Sequence, residues 1–372
     1  MKKKEFRPIY RLTSKSLHLD FMLLSFLFLV VCMGLLILYS ASNQNFPMVL
    51  RQGARLIFAL GILFVFSEIP PHQYKTWTPW FYGFCLILLF AVMLMGKVGK
   101  GVQRWLDLGL FRFQPSEMMK LAVPMMAAWY ADHIDWSPKN VRGLVTILII
   151  IFIPTIIIAR QPDLGTAIMV ATAGSSVVFL AGIEFHFLIG LLAAMALGGP
   201  LVWFNMHPYQ KQRIFTLLNP EQDPLGNGYH IIQSKIAIGS GGPFGKGWLE
   251  GSQSHLNFLP EHTTDFIFAV CGEEFGFLGS VFLISLFILV TLRGFAIAKE
   301  AQTPFTRLLA ASLTMTFFLS AFVNMGMVMG ILPVVGIPLP LVSYGGTAMV
   351  TFLASFGILM SISSHRILFT LR

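Results

Sequence analysis

Stretches of eighteen or more apolar residues recur along the whole chain, and each is long enough to cross a bilayer. They predict helices near residues 20–40, 51–69, 77–96, 114–132, 142–159, 163–182, 185–205, 264–293, 305–331 and 341–364. The fold class expected is an all-α polytopic membrane protein of about ten transmembrane helices, one integral unit over residues 1–372. Its apolar surface is buried mainly against lipid and between helices. The first span, Phe21 to Tyr39, is too long for a signal-peptide core and reads as a retained anchor.

The polar intervals are short except for residues 206–263, a long outer connection ahead of the eighth predicted helix. It holds the glycine-rich run GYHIIQSKIAIGSGGPFGKGWLEGSQ, Gly228 to Gln253, in which Ile231, Ile232, Ile236 and Ile238 suit a short helix on or re-entering the membrane. Non-helical backbone at membrane depth must be covered by protein or line a wet cavity. The segment is therefore a candidate roof over a substrate cleft.

Composition strengthens the membrane reading: 55% of residues are hydrophobic and 12% charged, about half the charged share of a soluble domain. The net charge of +9 could suggest nucleic acid. However, Lys2, Lys3, Lys4, Arg7, Arg11 and Lys15 crowd the N-terminus ahead of the first span, where a cytoplasmic anchor belongs. No aromatic-interleaved basic stripe accompanies them, so anionic membrane lipids are the expected partners and nucleic acid is not. An even number of spans returns His365, Arg366 and Arg372 to the same cytoplasmic side. Two outer segments then break the charge bias: Gly96 to Phe113, with Lys97, Lys100, Arg104 and Arg112, and the long connection, with Lys211, Arg213, Lys235 and Lys246. An anionic ligand explains them, as does ordinary scatter. Cys32, Cys85 and Cys271 lie inside apolar spans without metal-ligand spacing, and no metal site is indicated.

Ionisable side chains inside spans are costly and mark function by default. Glu117 and Lys120 open the fourth helix three residues apart, on one face, where they can pair either to fix packing or to shape the floor of a cleft. Arg160, Gln161 and Asp163 form a tight outer turn; Asp163 suits a helix cap and Arg160 a bidentate phosphate contact. The densest cluster, Leu259 to Gly279, places Glu261, His262 and Asp265 where the long connection enters the eighth helix, with Thr263 or Thr264 as N-cap and Asp265 in the first turn. Glu273 and Glu274 follow deeper in the same helix. Asp265 has the position of a general base at the water–membrane boundary; the helix dipole lowers its pKa and burial raises it. Ser343 to Thr347 open the final helix and permit close packing or a small polar pocket.

Lys246 follows Gly245, but Ser240 and Gly247 break a P-loop pattern. No Ser has Lys three positions later and no His-Glu-x-x-His occurs. An ATP-driven pump, a transpeptidase and a zinc protease are disfavoured.

Gln161 to Thr166, Gly226 to His230, Gln233 to Gly242, LPEHTTDFIF and Ser343 to Gly346 together resemble the SEDS family (shape, elongation, division and sporulation), over nearly the whole chain and in order. Length and short tails are most similar to its elongation members. The resemblance implies a peptidoglycan glycosyltransferase that joins lipid II units and releases undecaprenyl pyrophosphate during cell elongation. It implies Asp265 as the catalytic acidic residue and Glu117–Lys120 as the family's intramembrane pair. It also implies a class B penicillin-binding protein, within the elongation machinery, supplying the transpeptidase. Glu261 and His262 join the cleft by proximity. Arg104, Arg160, Gln161, Asp163, Arg213, Lys246 and Ser343 are the expected substrate and pyrophosphate contacts. No cofactor is required by the sequence, and a divalent cation, Mg or Mn, would help neutralise the pyrophosphate. A lipid II flippase and a non-catalytic scaffold for a cell-wall synthase are the alternatives. The outward concentration of ionisable residues favours chemistry over transport.

Overall fold

The computed structural model describes residues 18–95, 97–99, 102–107, 112–134, 136, 140–182, 204, 206, 208–222, 226–255 and 261–365. Long helices dominate: α1 (Phe21–Ala41), α2 (Phe46–Glu68), α3 (Pro71–Met95), α4 (Pro115–His133), α5 (Val141–Arg160) and α6 (Leu164–Leu180). After α6 come the shorter α7 (Pro208–Leu218), α8 (Asn227–Ser240), α9 (Ser252–His255) and α10 (Ile267–Glu274). The chain then runs through α11 (Gly276–Lys299), α12 (Pro304–Val328) and α13 (Thr347–Ser364). Seven of the described helices are long and apolar enough to cross a membrane, and α6 adds a shorter apolar helix of 17 residues. The chain is an integral membrane protein. The seventh expected helix, 185–205, falls almost wholly outside the described residues.

Short polar residues punctuate these helices. Asp20, Asn45, Asn140 and Asp163 each accept an N–H from the first turn of α1, α2, α5 and α6, and Thr303 with Thr306 forms a reciprocal capping box on α12. The helix α4 is buried nearly all round, packed by α3, α5, α6, α12 and α13. Buried within the bundle at its N-terminal end, α4 can carry Glu117 and Lys120 in its first two turns. Side-chain interlocking holds the other contacts: Phe317 of α12 stacks on Phe287 of α11 (5.3 Å) and meets Phe352 and Phe356 of α13 edge-on at 5.8 and 5.0 Å. At Gly357 of α13 an added Cβ would stand 2.6 Å from the Leu63 carbonyl of α2, so only glycine allows that crossing.

Both ends of the described chain meet at one face. The His18 and His365 rings stack at 4.2 Å, His18 contacts Glu68 at 2.7 Å, and Arg293 contacts Asp20 at 2.6 Å. The long connection and the strands lie toward the other end of the bundle.

This end of the bundle adds a small sheet and corrects two expectations. Residues 96–113 contain three antiparallel strands, β1 (Lys97–Gly99), β2 (Val102–Asp107) and β3 (Arg112–Phe113), paired in chain order. The helix expected over 264–293 breaks in two at Phe275–Gly276, where Gly276 adopts φ +66°. The backbone groups freed there are satisfied by the glycine-rich segment: Phe277 and Leu278 N–H donate to the Gly242 and Pro243 carbonyls at 2.9 and 3.1 Å. In return, Lys246 and Gly247 N–H donate to the Glu273 and Glu274 carbonyls at 3.0 and 3.1 Å. Finally, the last helix starts at Thr347, not 341, because Leu341 adopts φ +64° and the Tyr344 N–H is taken by the Thr263 carbonyl; residues 333–346 form a non-helical segment instead.

Candidate active site

Three elements of this face carry the residues expected to do chemistry. The first is the start of α4. Lys120 Nζ lies 2.7 Å from Glu117 Oε1, both side chains are buried, and the ammonium stands over the Phe352 ring at 5.9 Å. Glu117 Oε2 is buried with no hydrogen-bond partner among the described residues, an acceptor left open beside the pair. Gln114, at the N-cap of α4, makes no capping bond with its side chain; its amide donates instead to Asp163 Oδ2 and Ser116 Oγ, both at 3.0 Å. Asp163 Oδ1 caps α6 by accepting from Thr166 N–H at 3.2 Å. Gln114 and Asp163 thus join the starts of α4 and α6.

The second element is the turn 261–266. Glu261, at φ +53°, closes it: its carbonyl accepts from Thr264 and Phe266 N–H at 3.1 and 3.2 Å, and its carboxylate accepts from Thr264 Oγ1 at 3.0 Å. The Phe266 cap position of α10 has no side-chain cap. Asp265 therefore lies in the turn, not in the first helical turn, and neither Thr263 nor Thr264 caps the helix as expected. Asp265 and His262 are both half-buried.

The third element is the segment 333–346, which gathers the others. Gly165, at the start of α6, is so close that an added Cβ would stand 2.8 Å from the Val335 carbonyl, and the same carbonyl accepts from Arg213 Nη1 at 3.4 Å. The next residue, Gly336 (φ +77°), lies against Asp265: its added Cβ would be 3.4 Å from Asp265 Oδ2. Residues 335–337 therefore bring Asp163's helix, Arg213 and Asp265 around one strip of backbone. The hydroxyl of Ser343 is committed within the protein, accepting from Leu339 N–H at 2.8 Å and donating to the Thr264 carbonyl at 2.5 Å.

The remaining expected contacts are dispersed. Arg160 is exposed at the end of α5. Gln161 is buried and its amide donates to the Leu89 carbonyl of α3 at 3.0 Å. Lys246 pairs with the fully buried Glu273 at 2.7 Å and donates to Ser252 Oγ at 2.8 Å. Arg104 lies in β2, and its side chain is outside the described residues. Among the described residues no three His, Cys, Asp or Glu converge to hold a metal ion.

The sequence reading does not single out Arg55, Gln52 or Asn324. Arg55 of α2 stands over the Tyr344 ring at 4.6 Å. Gln52 donates to the Ser343 carbonyl at 3.2 Å. Asn324 of α12 is fully buried and donates to the Asp265 and Ile337 carbonyls at 2.8 and 2.7 Å. The signal was available, because each is a polar or charged residue inside an apolar span.

A membrane bundle with a buried Glu–Lys pair, a clamped acidic turn and a loop-covered face defines a class of polytopic membrane protein with chemistry at one surface. Residues 16–367 match the cell cycle protein family of FtsW, RodA and SpoVE, and the chain belongs to that family. It is 51% identical over 350 residues to the peptidoglycan glycosyltransferase MrdB of Escherichia coli K12, covering 94% of each chain. Its fold is similar, with a TM-score of 0.81 and 31% identity over 93% of this chain and 97% of the other, to a solved chain from work on the structural coordination of polymerization and crosslinking by a peptidoglycan synthase complex. It is also similar to the rod shape determining protein RodA of Thermus thermophilus, with a TM-score of 0.69 and 27% identity over 93% and 96% of the two chains.

Proposed function

We propose that this protein is a peptidoglycan glycosyltransferase that polymerises lipid II at the outer face of the cytoplasmic membrane during cell elongation. The observation that carries the reading is Asp265: a half-buried carboxylate held in a turn at the loop-covered face, with glycine backbone against it. The extended likeness to MrdB supports the same activity. In the reaction a sugar hydroxyl of one lipid II attacks the anomeric carbon of another. The Asp265 carboxylate takes the hydroxyl proton, a new C–O bond forms, and the bond from the anomeric carbon to the pyrophosphate oxygen breaks. Undecaprenyl pyrophosphate leaves with the electron pair.

The leaving group is dianionic or more, so cations near it stabilise the transition state. Arg213, Arg160 and Arg104 are assigned to it, with Arg55 added from the structure. Lys246 is better assigned to holding the roof, since Glu273 already neutralises it. Lys120 and the open Glu117 Oε2 form the polar floor under the substrate, and Gln114 with Asp163 sets its edge. Gln161, Ser343 and Glu261 support backbone around the site. His262 flanks Asp265. A divalent cation, Mg or Mn, would travel with the pyrophosphate.

The basic N-terminus supports a cytoplasmic position for the His18–His365 face. The chain contains no Ser-x-x-Lys nucleophile, and its likeness to a chain of a synthase complex supports a class B penicillin-binding protein as crosslinking partner. The test is incubation of the purified chain with labelled lipid II, with and without that partner. Glycan polymer and undecaprenyl pyrophosphate are expected; transfer of intact lipid II across vesicles without polymer would contradict the reading.

A further inference from the structure

The turn that carries Asp265 lies ahead of the first turn of α10 and has no side-chain cap to order it. Beyond the hydrogen bonds Glu261 makes within it, its backbone is held from elsewhere. Three consecutive carbonyls each accept from a different donor: Thr263 from Tyr344 N–H at 2.9 Å, Thr264 from Ser343 Oγ at 2.5 Å, and Asp265 from Asn324 Nδ2 at 2.8 Å. Tyr344 and Ser343 belong to one loop segment. Asn324 stands on a membrane-spanning helix and is completely buried.

The second N–H of Asn324 donates to the Ile337 carbonyl at 2.7 Å. Two carbonyl acceptors fix which way the amide faces, because only its nitrogen can serve both. The Oδ1 atom, turned away, is buried without a partner among the described residues. Ile337 directly follows Gly336, the residue whose backbone lies against the Asp265 carboxylate. One side chain therefore ties the backbone of the acidic residue to the backbone on which its carboxylate rests.

We infer that Asn324 is a positioning residue for Asp265, setting the distance and direction of the carboxylate relative to the 335–337 strip. The inference rests on the reading of Asp265 as the base. An amide in this place holds position without adding charge beside the carboxylate, and a small displacement of a base from its proton costs rate, not binding. Removal of the amide should consequently act on the chemical step.

The experiment uses full-length wild type, Asn324→Ala, Asn324→Asp and Asp265→Asn, each purified with the partner transpeptidase and assayed with labelled lipid II across pH. Asn324→Ala should lower kcat about tenfold or more with KM for lipid II changed less than about twofold. Asn324→Asp keeps the shape but offers one donor, and only when protonated. Its kcat should lie below wild type at neutral pH and recover toward wild type as pH falls, opposite to the dependence expected of an Asp265 base. If Asn324→Ala fails to fold, Asn324→Asp decides. Wild-type kcat and pH profile in the Asn324 variants, or a loss confined to KM, overturns the inference while an inactive Asp265→Asn leaves the base reading standing. An active Asp265→Asn rejects the base reading itself.

Discussion

Lys246 and Glu273 form a 2.7 Å ion pair that fastens the glycine-rich loop to α10, and the Glu273 carboxylate is entirely buried. The same carboxylate accepts from Gln253 N–H at 3.0 Å and from Ser252 Oγ at 3.1 Å. Removing the cation strands a buried charge, so Lys246→Met should destabilise the detergent-solubilised protein by about 3 kcal/mol. Adding Glu273→Gln should restore much of that loss. Thermal unfolding of the single and double variants measures both; an unaffected Lys246→Met would return Lys246 to the list of free substrate cations.

The same loop depends on backbone contact. At Gly245, φ is +84° and an added Cβ would stand 2.0 Å from the Glu274 carbonyl oxygen. Gly245→Ala should cost about 2 kcal/mol or more and loosen the loop from the α10–α11 break. Faster proteolysis within residues 241–253, with the long helices intact, is the expected signature.

The Glu117–Lys120 pair lies inside the bundle at 2.7 Å. Lys120→Met should destabilise by about 3–5 kcal/mol because the buried Glu117 carboxyl is left without its cation. The double variant Glu117→Gln with Lys120→Met should fold better than the single one yet fail to make glycan. A folded, fully active double variant would leave the pair with a packing role alone.

The face that joins the chain ends predicts a pH response. At His365, burial holds the imidazole below its ordinary value; the Ser361 carbonyl opposes this and the stacked His18 adds to it. A base whose folded value is depressed stabilises the fold above its unfolded value near 6.5, and that stability is lost as pH falls from there through the lower folded value. For Asp20, burial raises the carboxyl, but hydrogen bonds from Arg293 and the Leu23 N–H outweigh it and the net direction is down. That contribution is present above the ordinary value near 4 and lost as pH falls through the lower folded one. Unfolding temperature against pH should show two steps, the upper removed by His365→Gln and the lower by Asp20→Asn.

Much of this architecture is legible because lipid as a solvent demands long apolar runs, and those runs place α1 to α6 and α12 within a few residues of their observed bounds. The break at Phe275–Gly276 is not legible, because its hydrogen bonds come from Gly242 and Pro243, far upstream in the chain. The start of α13 at Thr347 is not legible either, because the left-handed Leu341 and the Tyr344 N–H bound to the Thr263 carbonyl are set by distant contacts. In the site, a spacing of three puts Glu117 and Lys120 on one face, where they pair. Nothing local indicates that Lys246 meets Glu273, or that Ser343 turns its hydroxyl onto the Thr264 carbonyl. Arg55 and Asn324 obey the rule that marked Glu117, and only their partners, Tyr344 and Asp265, show why they matter.

The most direct test of the account is the polymerisation rate of Asp265→Asn against wild type, both purified, folded and supplied with labelled lipid II and the partner transpeptidase. The account predicts glycan from wild type and a loss of at least about a hundredfold in the variant, the range expected when a general base is removed. Polymer at the wild-type rate from Asp265→Asn would contradict it.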